Sequence, residues 1–198
     1  FANAKHGWIA GGVSGGGIIL NTVDGQNWQI QKTFATNLNS VYFTDVYNGY
    51  ACGEDGIMLK TTDGGQDWYE MQSLNNRRWS IELLNEPVTL NCIYFRDEFN
   101  GFAVGGLGYS KVVLRTEDAG QSWILAHYAD NDGAQLKKVN FNDQNFGYIA
   151  GYRDSLLITT DGGVNWYPME ILPLLQINSV YFRDYFNGWY TGDGGTIF

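Results

Sequence analysis

Apolar and polar residues alternate over short stretches of this chain, and the alternation breaks at glycine. In "NSVYF" (residues 39–43), Val41 and Phe43 point to one face and Ser40 and Tyr42 to the other, the period of two that marks a strand. "GYACG" (49–53) and "GIMLKT" (56–61) are apolar runs bounded by glycine, and "YEMQS" (69–73) follows a tryptophan; each reads as a further short strand. No stretch carries a sustained helical period, and only "WSIELLNEP" (79–87) has room for a single helical turn.

The pattern recurs. "LNSVYFTDVYNGYACGEDGIMLKTTDGGQDW" (38–68) is repeated as "LNCIYFRDEFNGFAVGGLGYSKVVLRTEDAGQSW" (90–123) and as "LKKVNFNDQNFGYIAGYRDSLLITTDGGVNW" (136–166). "INSVYFRDYFNGWYTGDGGTIF" (177–198) begins a further copy, and "HGWIAGGVSGGGIILNTVDGQNW" (6–28) is a copy without its opening strand. The closing tryptophans stand at 28, 68, 123 and 166, spaced by 40, 55 and 43 residues, a period that belongs to propeller blades or solenoids. Four short antiparallel strands per unit select the propeller. The fold expected is therefore all-β: a β-propeller of four-stranded antiparallel blades, with approximate repeats 1–37, 38–89, 90–135, 136–176 and 177–198, the last incomplete. The first copy offers strands two to four and the last offers strands one to three, which overlap rather than combine. The reading is an arc of a larger ring, three full blades with a partial blade at each end.

Three copies carry Thr-x-Asp-x-Gly-x-x-Trp in full: Thr61, Asp63, Gly65 and Trp68; Thr116, Asp118, Gly120 and Trp123; Thr159, Asp161, Gly163 and Trp166; the first carries a shortened "TVDGQNW" at 22–28. A catalytic motif is used once, whereas an element repeated around a ring is architecture. The carboxylate is expected to accept backbone N–H bonds within the turn between strands three and four, the glycine after it to supply positive φ, and the tryptophan to start the last strand and bury apolar area. Asp45, Asp97, Asp143 and Asp184 recur at strand ends, and Asn48-Gly49, Asn100-Gly101 and Asn187-Gly188 read as turn dipeptides.

Composition narrows the function. The 26 glycines against 3 prolines, with 16% aromatic residues, fit short strands and tight turns in a packed domain. The net charge of −9, with Arg77-Arg78 and Lys137-Lys138 as the adjacent basic pairs, offers no stripe for nucleic acid. No apolar run approaches ~18 residues, so direct membrane insertion is not expected. The chain opens on Phe1 with no signal peptide before it and reads as a mature or partial chain. Cys52 and Cys92 align with Ala, Val, Ser or Lys in other copies and read as small packing residues.

The Thr-x-Asp-x-Gly-x-x-Trp element resembles the Asp-box, or BNR, repeat of sialidase-type propellers. The longer unit, with "LNSVYF" before "NGYACGEDGIMLKTTDGGQDW", is similar to the repeats of the photosystem II assembly and stability factors, the Ycf48-like family, over nearly the whole chain outside inserts at about 70–88 and 124–135. The resemblance implies a propeller, commonly of about seven blades, an extracytoplasmic setting (secreted, periplasmic or cell surface), and an assembly role without catalysis. The family's assembly factors use an arginine-rich patch; here only Arg96 and Arg183 share a repeat position, where the other copies have Thr44 and Asn142.

Chemistry finds little purchase. Two histidines, His6 and His127, and no Cys-x-x-Cys leave zinc unsupported, so no metal and no cofactor are expected. "DNDG" (130–133) lacks the spacing of a calcium loop, and "GGVSGGG" (11–17) lacks the ending of a phosphate loop and reads as a widened hairpin. Arginines 77, 78, 96, 115, 153 and 183 form no sialidase signature, and Glu54, Asp55, Asp154 and Asp193 read as solvated turn acids rather than a hydrolase pair. Departures from the repeat mark candidate contact surfaces: Arg77, Arg78 and Trp79 in the first insert, with Arg96 and Arg183, and His127 and Tyr128 in the second. The expectation is a non-enzymatic module that binds a protein partner, with glycan binding or hydrolysis as the alternative.

Overall fold

The computed structural model describes residues 1–13, 15–71, 80–81, 86–129, 135–152, 155–169, 177–192 and 197. Three four-stranded antiparallel sheets follow one another, each built from consecutive strands. Blade 2 is β4 (Leu38–Phe43), β5 (Gly49–Gly53), β6 (Met58–Thr61) and β7 (Tyr69–Glu70). Blade 3 is β10 (Thr89–Phe95), β11 (Gly101–Gly106), β12 (Lys111–Thr116) and β13 (Ile124–Ala129), and blade 4 is β14 (Leu136–Phe141), β15 (Gly147–Gly151), β16 (Leu156–Thr159) and β17 (Tyr167–Pro168). Blade 1 holds β1 (Gly7–Val13), β2 (Gly16–Thr22) and β3 (Gln29–Phe34), and blade 5 holds β18 (Ile177–Asp184) and β19 (Asn187–Gly192), with Ile197 bridging to Thr191 where a third strand would start. The all-β propeller expected from the repeat is the fold observed.

Each core lies between blades. Consecutive sheets are joined by one cluster apiece, centred on Ile19, Leu38 and Leu59, then on Tyr50, Ile93 and Phe95, then on Phe102, Leu136 and Phe141, and finally on Tyr148, Leu156 and Phe182. This changes the meaning of the alternation in "NSVYF". Val41 packs toward blade 1, while Tyr42 meets Tyr94 and Phe95 of blade 3, so neither face is a solvent face. The second strands, covered on both sides, are buried throughout in blades 2, 3 and 4.

Several sequence expectations are corrected. "WSIELLNEP" holds no helical turn in its described part, because β8 (Ser80–Ile81) pairs antiparallel with β9 (Glu86–Pro87). The "GGVSGGG" hairpin is tight rather than widened, since the β1–β2 ladder runs on to Val13 opposite Gly16. In the second insert, 124–129 forms the regular fourth strand β13, and "DNDG" lies outside the described residues. The glycines of the Asn-Gly dipeptides do not supply positive φ. A Cβ at Gly49, Gly101 or Gly188 would fall 2.4, 2.6 or 2.5 Å from the ring of Phe43, Phe95 or Phe182, so each glycine is the seat of its own blade's first-strand phenylalanine.

That seat also exists in blade 1. Phe1 lies on Gly7 and meets Trp28 edge-on at 5.7 Å, as Phe43 lies on Gly49 and meets Trp68 at 5.8 Å. Asn3 Oδ1 accepts from the N–H groups of Lys5 and His6, as Asp45 Oδ1 accepts from Tyr47 and Asn48. "FANAKHG" therefore supplies the phenylalanine seat and the turn of the repeat in blade 1, ahead of the copy's start at His6.

The first strands interlock. Each carries a bulge, with the register slipping between Leu38 and Ser40, Leu90 and Cys92, and Leu136 and Lys138. In blades 2 and 3 the bulged residue is turned out of its own ladder toward the next first strand, and in blade 4 Lys137 reaches back to Asn91 Oδ1 at 3.3 Å. Asn39 Nδ2 donates to Leu90 O at 3.0 Å and Asn91 Nδ2 to Leu136 O at 2.7 Å.

Candidate interaction surface

In each full blade two turns lie side by side: the turn between strands one and two, and the Thr-x-Asp turn between strands three and four. The contact is a backbone hydrogen bond, Gly64 N to Tyr47 O (2.8 Å), Ala119 N to Phe99 O (3.0 Å) and Gly162 N to Asn145 O (2.9 Å). Together they build one face of the arc.

The carboxylates of this face are occupied. In the Thr-x-Asp turns the buried threonine hydroxyl donates to the aspartate at 2.8 Å in all three full copies and accepts from Gly65, Gly120 or Gly163 N–H. The same carboxylate oxygen also accepts from the N–H of Asp67, Ser122 or Asn165, and the second oxygen accepts from Asp67 N, the Ser122 hydroxyl or the Asn165 side chain. The shortened copy keeps the arrangement one residue tighter, with Gly25 N on the Thr22 hydroxyl. These donors hold the acids ionised: the N–H of Asp67 keeps Asp63, and that of Asn165 keeps Asp161, below the ordinary carboxylate value. At Asp118 slight burial pushes upward and is outweighed by the Ser122 hydroxyl and N–H. Asp45, Asp97, Asp143 and Asp184 cap the neighbouring turn in the same way.

The backbone after each aspartate is left-handed. Gly64 and Gly162 have φ of 76° and 74°, and in blade 3 the position is Ala119 at φ 57°; the motif glycines that follow, Gly65, Gly120 and Gly163, are left-handed as well, at 89°, 78° and 86°. This conformation turns the carbonyl out of the hairpin and toward the preceding blade, which bonds it each time. Gly64 O accepts from Trp8 Nε1 (3.3 Å) and Gln31 Nε2 (2.7 Å), Ala119 O from the Tyr50 hydroxyl (3.0 Å) and Lys60 Nζ (2.7 Å), and Gly162 O from Arg96 Nη1 (3.1 Å). The turn is thus the acceptor of an inter-blade clasp as well as the pin of a hairpin. The tryptophans precede the fourth strands by one residue; Trp123 and Trp166 are buried, while Trp68 and Trp28 are half-buried.

The candidate contact residues divide. Arg96 is 16% exposed and committed to blade 4, donating also to Gln144 O and lying over the Phe141 ring at 5.4 Å. Arg183, at the same repeat position, is 74% exposed, with Asp184 4.0 Å away. They stand two blades apart and are not brought together. Arg77, Arg78 and Trp79 lie outside the described residues, as do Arg153, Asp154 and Asp193. Exposed aromatics that the sequence reading did not single out crown the first turns: Tyr47, Phe99 and Phe186, all two residues after the capping aspartate. Cys52 is in the blade 2–3 core and Cys92 packs at the blade 3–4 core, both as free thiols. Among the described residues no three His, Cys, Asp or Glu side chains group to hold a metal ion.

The family model described as photosynthesis system II assembly factor YCF48 matches residues 1–78 and 71–178. The photosystem II assembly lipoprotein Ycf48 of Synechococcus is 32% identical over 89 residues, 44% of this chain and 25% of that protein. The chloroplastic photosystem II stability/assembly factor HCF136 of Arabidopsis thaliana is 27% identical over 105 residues, 53% of this chain and again 25% of that protein. The matched stretch thus spans about a quarter of either relative's length. Among solved structures, YCF48 from Cyanidioschyzon merolae is 17% identical with a TM-score of 0.61, covering 93% of this chain and 63% of that one. YCF48 bound to D1 peptide is 18% identical with a TM-score of 0.50, covering 100% and 90%. The GH74 xyloglucanase of Xanthomonas campestris is 13% identical with a TM-score of 0.60, covering 98% of this chain and 36% of that enzyme. At such identities the structural likenesses speak for the propeller fold alone.

Proposed function

This chain belongs to the Ycf48 photosystem II assembly-factor family, and from that premise we propose that it is a non-catalytic assembly module, an arc of propeller blades that holds a segment of a client protein. The carrying observation is the state of the repeated acids. From blade to blade their oxygens are taken up by backbone N–H groups and a threonine hydroxyl. A general base needs a lone pair aimed at substrate, and these are aimed into the fold. The relatives are named as assembly factors, and one YCF48 structure holds a D1 peptide; a peptide-like segment of a client protein is the ligand proposed here. The lipoprotein and chloroplastic relatives support an extracytoplasmic or lumenal setting. The exposed turn aromatics Tyr47, Phe99 and Phe186, with Arg183, are the contact groups proposed.

Mild crosslinking of the native protein, followed by affinity capture and mass spectrometry, tests the reading, alongside direct titration with a D1 peptide and with xyloglucan oligosaccharides. A stoichiometric protein partner and no turnover of xyloglucan are expected. Xyloglucan binding or cleavage, with no protein partner captured, would overturn it.

A further inference from the structure

One repeat position, three residues past each closing tryptophan, is held by Gln31, Met71, Ala126 and Met169 in turn. Met71 continues the β6–β7 ladder, its N–H donating to Met58 O at 2.8 Å, and its side chain is half-buried against the core shared by blades 2 and 3. Across that seam it meets the Thr-x-Asp turn of blade 3. A Cβ placed on Gly120 would stand 3.3 Å from Met71 Sδ and 3.5 Å from Trp123 Nε1, so the thioether and the indole nitrogen flank one glycine.

That indole nitrogen carries a donor without an acceptor. Trp123 is 4% exposed, and its Nε1 is buried with no hydrogen-bond partner. A thioether is only a weak acceptor, so the sulfur beside it does not make good the loss. At the seam between blades 1 and 2 the same position is polar. Gln31 Nε2 donates to Gly64 O at 2.7 Å, and Gln31 Oε1 lies against Gly65, the counterpart of Gly120. The fold therefore already accommodates a side-chain oxygen at this place in a seam.

We propose that Met71 is a site of reversible oxidation, its sulfoxide oxygen accepting a hydrogen bond from Trp123 Nε1. The oxidant is hydrogen peroxide. Its O–O bond breaks, one oxygen joins Met71 Sδ as the sulfur gives up two electrons, and the other leaves as water. The thioether becomes a polar group, which in an ordinary core disrupts packing. Here the added oxygen arrives beside a buried donor that has no other partner, and the seam between blades 2 and 3 keeps its stability. Methionine sulfoxide reductases would return the residue to the thioether.

Peroxide treatment of the full chain in a Met169→Leu background tests this, with the oxidised sites read by peptide mapping. The chain has three methionines, and Met58, at 0% exposure, is the internal control. Met71 is expected to oxidise about tenfold or more faster than Met58. In nitrogen-labelled protein the Trp123 indole N–H resonance, assigned by its loss in Trp123→Phe, should move downfield and exchange more slowly with solvent once Met71 is oxidised. Oxidation should leave the melting temperature unchanged or raised when Trp123 is present, and should lower it by about 2–4 °C in Trp123→Phe. An indole resonance that does not respond to oxidation overturns the proposal. So does an equal loss of stability in the two backgrounds, or oxidation of Met58 ahead of Met71.

Discussion

The ammonium of Lys60 lies 2.7 Å from the carbonyl oxygen of Ala119, the residue that follows the aspartate in the next blade's Thr-x-Asp turn. The Tyr50 hydroxyl reaches the same oxygen at 3.0 Å, and the ammonium stands 5.5 Å from the Tyr50 ring. Two donors from one blade thus converge on one carbonyl of its neighbour. Burial pushes the Tyr50 phenol up to about 12, with the charge of Asp45 adding to the shift, so at neutral pH this group is a donor.

The shared acceptor makes the two donors redundant in a measurable way. Tyr50→Phe removes a neutral bond and should cost about 1 kcal/mol; Lys60→Met removes a charged one and should cost about 1–2 kcal/mol. Either variant leaves Ala119 O with a partner, whereas the double variant leaves it with none. Urea denaturation of the four proteins in the cycle should therefore show the double variant to be less stable than the sum by about 0.5–1 kcal/mol. Strict additivity would mean that the two bonds are not competing for one group.

Ala119 itself is a test of the turn. A non-glycine residue at φ 57° carries strain that its counterparts Gly64 and Gly162 do not. Ala119→Gly should stabilise the chain by about 0.5–1 kcal/mol, the relief of strain exceeding the entropy that glycine adds to the unfolded state. Gly162→Ala should destabilise by more, because its Cβ would also fall 2.7 Å from Arg96 Nη1 and 2.9 Å from Gln144 O. Thermal melts of the pair, read in opposite directions, check this.

Much of this was legible in the sequence, and the boundary is physical. The tryptophan spacing, the glycine-bounded apolar runs and the Thr-x-Asp turns are local, set within a few residues, and strands β4 to β7 follow from them. The clasp was not legible, because the donors to Ala119 O come from 59 and 69 residues earlier and differ in chemistry from blade to blade: Trp and Gln, then Tyr and Lys, then Arg. Arg96 stands out in the sequence as a contact candidate because it shares a repeat position with Arg183 and the family resemblance implies an arginine-rich patch, whereas the structure gives that arginine internal partners. Phe1 could have been found, since Phe–Gly pairs six apart recur at 43–49, 95–101, 141–147 and 182–188 and also at 1–7.

The turn acids set the acid limit of the fold. Asp63 and Asp161 are held low chiefly by the N–H groups of Asp67 and Asn165, Asp143 by that of Phe146, and Asp184 chiefly by the Asn187 side chain. A carboxylate depressed in the folded state contributes stability that is fully present above its unfolded value and is lost as pH falls toward the folded one. Stability should be level from about pH 7 to 5 and fall continuously below about pH 4. Asp161→Asn should lower stability at neutral pH and reduce the slope below it, since its oxygen can still accept but carries no proton linkage. Urea midpoints taken across that range give both quantities.

Arg96 and Arg183 form a matched pair for separating packing from exposure. They share a repeat position and differ in cover, 16% against 74% side-chain exposure. Arg96→Met removes the guanidinium that lies over Phe141 and donates to Gln144 O and Gly162 O, and should cost about 2 kcal/mol. Arg183→Met removes a solvated group with the Asp184 carboxylate 4.0 Å away, and should change stability by less than about 0.5 kcal/mol. Equal costs would show that arginine at this position acts within its own blade. Unequal costs would place its contribution in the blade that follows, which only Arg96 has within the chain.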